Sequence, residues 1–77
     1  MSQRKKSKEE LYLLKLFKLS KSSAMDRYKL GNALGYHTKS VDTIVQTLTK
    51  NNFLKKDGDE VYLTELGLSL ARSLLHD

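Results

Sequence analysis

The sequence contains no cysteine, which excludes disulfide bridges and every thiolate-based metal site. A chain of 77 residues without such staples has room for one domain and one small core, and gains from a partner. The same absence fits a reducing compartment. No apolar stretch approaches the roughly 18 residues needed to cross a bilayer. The opening Met1-Ser2-Gln3-Arg4-Lys5-Lys6 is basic, yet it has neither the apolar region nor the small-residue cleavage site of a secretory signal. Met1 is read as a natural start, and the chain as soluble and cytoplasmic. The arrangements that chemistry requires are missing too. His37 and His76 have no neighbours at ligand spacing, so no metal is expected. The serines belong to no His-and-carboxylate constellation, and no glycine-rich phosphate loop is present. Neither an enzyme nor a bound cofactor is expected.

What the chain has in excess is positive charge: +5 formally, with a pI near 9.6. Such a balance points to a polyanionic partner. The charge is unevenly placed. Residues 1–29 hold nine Lys/Arg against three Asp/Glu, whereas residues 30–77 hold five against six. Residues 1–8 read as a basic flexible arm in which Arg4, Lys5, Lys6 and Lys8 repel one another. Such an arm serves either to solubilise or to bind phosphate.

From Glu9 the pattern turns helical, with acids in the first turn and Lys18 and Lys21 near the end. Leu13, Leu16, Phe17 and Ser20 define its core face, Tyr12 and Leu14 lie at the margins, and Leu11 falls opposite. Lys21-Ser22-Ser23 breaks the pattern. Ser23 with Asp26 resembles a capping box for a second helix, and Ser23-Ala24-Met25 reads equally as a short strand leading into it. That helix carries Tyr28, Leu30, Ala33 and Leu34 and stops at Gly35. The Gly31 and Gly35 pair is expected to let the second and third helices approach closely. Thr38 is the expected N-cap of a third helix running to about Asn51. Its apolar stripe is Val41, Ile44, Val45 and Leu48, with Lys39, Thr43, Gln46 and Lys50 pointing away. Two short runs, 53–56 and 60–64, flank Asp57-Gly58-Asp59 and predict a two-stranded hairpin. Thr64 then caps a last helix, Glu65 to about Leu75, whose expected core face is Leu66, Leu70, Ala71 and Leu74.

The chain is mainly helical with one small hairpin, and in this order it resembles the winged helix-turn-helix superfamily. The resemblance rests on Leu30-Gly31-Asn32-Ala33-Leu34-Gly35-Tyr36, then Thr38, Val41, Val45 and Leu48, then Asn52-Phe53-Leu54, the hairpin and Leu63-Thr64-Glu65-Leu66-Gly67. It covers residues 9–77. It implies three helices, a two-stranded wing and a closing helix, with helix 38–51 reading the major groove of duplex DNA, as in small transcriptional regulators. The base-contact positions it implies are Lys39, Ser40, Thr43, Gln46 and Thr47. Backbone contacts fall to Arg27, Lys29, His37, Lys50, Lys55 and Lys56, joined by Arg4, Lys5 and Lys6 of the arm. If DNA is the partner, the location becomes the nucleoid or the nucleus.

One feature of the sequence favours a different partner. The wing tip is acidic, and from Lys39 to Glu60 four lysines face Asp42, Asp57, Asp59 and Glu60. The alternative expectation is a winged-helix protein–protein interaction module without sequence-specific DNA binding. The leucines carry a second theme. Leu11, Leu14, Leu68 and Leu75 exceed what one small core absorbs. The resemblance implies a homodimer through the first and last helices, and burial of these leucines under the arm is the simpler reading.

Overall fold

Ser7 starts the first helix, and it does so through a reciprocal pair of hydrogen bonds. In the computed structural model, which describes residues 6–76, the Glu10 backbone N–H donates to Ser7 Oγ at 3.1 Å. The Ser7 N–H donates in turn to Glu10 Oε1 at 2.9 Å. This capping box opens α1 (Lys8–Ser20), one residue earlier than the charge pattern predicts. The elements that follow are β1 (Met25–Asp26), α2 (Arg27–Ala33), α3 (Thr38–Lys50), β2 (Leu54–Asp57), β3 (Glu60–Leu63) and α4 (Glu65–Leu75). Four helices and a small antiparallel sheet make the chain mainly helical, as expected. No helix among the described residues is long and apolar enough to cross a membrane.

The sheet corrects the expectation of a two-stranded wing. It has three strands in the order β1-β3-β2. Met25 pairs with Val61 and Asp26 with Glu60, while Leu54 to Asp57 pair with Leu63 to Glu60. β1 realises the short strand that Ser23-Ala24-Met25 offers, shifted to Met25–Asp26. Asp57 and Glu60 leave a two-residue turn, Gly58-Asp59, with φ +64° at Gly58. A left-handed residue in the first central position suits the twist of a hairpin and calls for glycine.

Caps fix the remaining helices. The cap of α2 is Asp26, not Ser23: its carboxylate accepts from the N–H groups of Tyr28 at 2.9 Å and Lys29 at 3.1 Å. The cap of α3 is His37, one residue before the expected Thr38, and its side chain makes no capping bond. Both helices end alike. Tyr36 N–H donates to Gly31 O and Gly35 N–H to Asn32 O; Phe53 N–H donates to Leu48 O and Asn52 N–H to Thr49 O. Gly35 (φ +76°) and Asn52 (φ +66°) hold the left-handed position that this ending requires. Thr64 caps α4 as predicted, accepting from Gly67 N–H at 3.0 Å.

The core gathers Tyr12, Leu13 and Leu16 of α1, Leu30 of α2, the whole predicted stripe of α3, Leu54, Val61 and Leu63 of the sheet, and Ala71 of α4. The expected α4 face is shifted. Ala71 and Leu74 are buried and Leu70 packs half-buried on the core as expected, but Leu66 is 53% exposed and Gly67 is buried in its place. Leu68, expected off that face, packs half-buried against the core. A glycine at the contact carries no apolar signal, so the pattern settled on its neighbour. The α2–α3 seam is equally close. A Cβ on Gly31 would collide with the Val41 side chain, whereas one on Gly35 would meet nothing. Close approach therefore belongs to Gly31 alone.

Candidate nucleic-acid interface

α3 presents its polar side from a fixed bed. Val41, Ile44, Val45 and Leu48 are each at most 3% exposed, which sets the rotation of the helix and turns the alternate residues outward. Lys39, Thr43, Gln46, Thr47 and Lys50 are exposed, and Ser40 is half-buried. The Thr43 hydroxyl donates to the Lys39 carbonyl at 3.1 Å. Its hydrogen is thereby committed, leaving lone pairs and a methyl group for an incoming surface. Of the five expected base-contact residues, four are open to solvent and Ser40 is partly so.

The structure adds Lys8 to this face. A shallow depression of about 280 Å³ is lined by Lys8 and Glu9 of α1 together with Lys39, Ser40, Thr43 and Ile44 of α3. Lys8 Nζ lies 5.7 Å from the ring centroid of Tyr36 in the α2–α3 turn, within the range of a cation–π contact. Reading Lys8 as part of an arm missed this placement. The signal that marks it is Ser7-x-x-Glu10, the sequence signature of a capping box, which puts Lys8 inside the helix. Exposed His37 stands at the start of α3, and exposed Lys29 lies on α2. Lys50, at the far end of α3, and Lys55 and Lys56 on β2 are exposed as well. Lys6 is half-buried; Arg4 and Lys5 lie outside the described residues.

Arg27, expected at the DNA backbone, makes contacts within the chain. Its side chain is 18% exposed, and Nη2 lies 3.4 Å from Asp59 Oδ1. Its backbone N–H donates to the Asp59 carbonyl at 3.0 Å. The guanidinium stacks 5.1 Å from the Tyr28 ring, and the buried Tyr12 hydroxyl donates to the Arg27 carbonyl at 2.9 Å. Arg27 thus braces the hairpin tip against α2. The Tyr28 hydroxyl donates to Asp42 Oδ1 at 2.8 Å, tying α2 to α3. All four acids between Lys39 and Glu60 are exposed, and two of them, Asp42 and Asp59, also accept contacts within the chain. These contacts also perturb the phenols. Hydrogen bonding to Asp42 holds the Tyr28 pKa above its ordinary value, and burial raises that of Tyr12 further.

The four leucines expected at a dimer interface separate into two kinds. Leu14 is 8% exposed, and Leu68 packs on the core. Leu11 and Leu75 remain exposed, at 37% and 45%, as do Leu19 and Leu66. Within one chain α1 and α4 already pack on each other. Among the described residues no cluster of three or more His, Asp or Glu is placed to hold a metal ion. Comparison with models of protein families, with curated proteins and with solved structures found no match to this chain.

Proposed function

We propose that the chain is a duplex DNA-binding protein of winged helix-turn-helix design, a small transcriptional regulator whose α3 enters the major groove. Helix, strand, two helices joined by a tight turn, hairpin and closing helix follow one another in that layout, and β1 attaches the hairpin to α2. The observation that carries the reading is the polar face of α3 with lysines from other elements around it. Lys39, Thr43, Gln46, Thr47 and Lys50 lie open on one rigid helix, with Lys8 of α1 beside its first turns. Gln pairs bidentately with adenine, Lys reaches guanine, and a Thr methyl meets that of thymine. Lys8, Lys29, His37, Lys55 and Lys56 are placed for phosphate.

Fluorescence anisotropy with a labelled random-sequence duplex at two salt concentrations tests this reading. Binding should weaken as salt rises, and Lys8→Ala and Lys29→Ala should each lower the salt slope by about 1. On a duplex selected for tight binding, Thr43→Ala and Gln46→Ala should each cost about 1–3 kcal/mol with the fold intact. Salt-insensitive binding, or a selected site indifferent to both substitutions, removes α3 as the reading helix. Exposed Asp57 and Glu60 on the hairpin favour the second reading, a protein-binding face, and retention of a protein partner after nuclease treatment would support it.

A further inference from the structure

A second groove is lined by α1 and the end of α2, with no residue of α3 among its lining. On α1 the residues Leu11, Leu14, Lys15 and Lys18 lie on the side turned away from Leu13 and Leu16. With Leu34, at the end of α2, they line a groove of about 100 Å³, room for one aliphatic side chain. Leu11 is exposed, and Leu14 and Leu34 form the apolar bed. Lys15 and Lys18 stand at the rim and make no ion pair within the described residues. The groove is therefore apolar at its floor and carries on one edge two positive charges that no described residue pairs with.

We infer that this groove binds an acidic amphipathic segment of a partner protein, one leucine-like side chain seated among Leu11, Leu14 and Leu34 and its carboxylates against Lys15 and Lys18. Charge complementarity selects this occupant. Ammonium groups that pair with no described residue are met by carboxylates at little desolvation cost at the rim, and like charge is repelled. A second copy of the chain fits poorly. Its hairpin acids, Asp57-Gly58-Asp59-Glu60, have no apolar side chain among them to fill the floor. Glu10 of the Glu9-Glu10 pair that precedes Leu11 is held in the Ser7 capping box, and α4 carries Glu65 as its sole acid. A helical segment with leucines at i and i+4 and acids on their flanks matches both halves of the groove.

The test uses a fluorescein-labelled peptide with Leu at i and i+4 and Glu or Asp elsewhere, and a scrambled peptide of the same composition. Amide chemical-shift mapping on the full chain should place the patterned peptide at residues 11–18 and 34, with the scrambled one bound about tenfold more weakly. The double substitution Lys15→Glu with Lys18→Glu should weaken binding by about tenfold or more while circular dichroism remains unchanged. Leu11→Asp is a second variant, at an exposed position that does not support the core. Equal binding of the two peptides, shifts confined to α3 or α4, or indifference to both variants would overturn the inference. Duplex DNA binding uses neither lysine, so its persistence in the double variant separates failure here from failure of the α3 reading.

Discussion

Lys21 holds φ 53° and ψ −117° at the exit of α1, where the Ser23 N–H closes a turn on the Ser20 carbonyl at 2.8 Å. A left-handed φ in the first central position of a turn is glycine's territory, and a side chain there stores about 1 kcal/mol of strain. Lysine recovers part of that through its Nζ, 4.9 Å from the Phe17 ring centroid. Replacing Lys21 with Gly should raise stability by about 0.5–1 kcal/mol, and Lys21→Ala should lower it, since alanine keeps the strain and loses the ring contact. Urea midpoints at constant m-value measure both, and a glycine variant no more stable than the alanine one refutes the strain. Nothing in the residue types Lys-Ser-Ser announces this conformation, which is imposed by where α1 must release the chain into β1.

At the scale of elements, the α2–α3 seam carries the sharpest expectation. Gly31→Ala drives a methyl group into the Val41 side chain, and overpacking of this kind costs about 1–3 kcal/mol. The change should also rotate α3 on its bed, so its amide resonances should shift along the whole helix, beyond the site. A variant as stable as the parent, with shifts confined to residues 29–33, would mean the seam has slack. Periodicity carried the rest of the architecture well. The stripe of α3, the hairpin and the Thr64 cap were legible because each is a repeated or strongly typed signal. β1 was legible in part, since Ser23-Ala24-Met25 reads equally as a strand and the strand formed is Met25–Asp26. Two features were not: a glycine takes the place expected of Leu66 on α4, and Arg27 looks like a surface cation until Asp59 is brought to it from 32 residues away. Of the candidate site, the exposed face of α3 was readable from its own helix. Lys8 joins it only through packing between helices distant in sequence.

For the molecule as a whole, the two perturbed phenols link stability to alkaline pH. Below the ordinary tyrosine pKa of about 10, folded and unfolded chains hold these protons alike, and stability is insensitive to them. Above it the unfolded chain releases protons that Tyr12 and Tyr28 retain in the fold, so stability should fall as pH rises. The phenolate absorbance that a Tyr12→Phe variant lacks should therefore rise only together with loss of helical circular dichroism. Ionisation of Tyr12 with the helices intact would contradict the buried Tyr12 bond. The brace at Asp59 reaches further still. The hairpin tip is fastened to the first residue of α2 by backbone and side chain alike, and α2 meshes with α3 at Gly31. The hairpin, α2 and α3 thus share one chain of contacts, and displacing the tip should disturb the seating of α3.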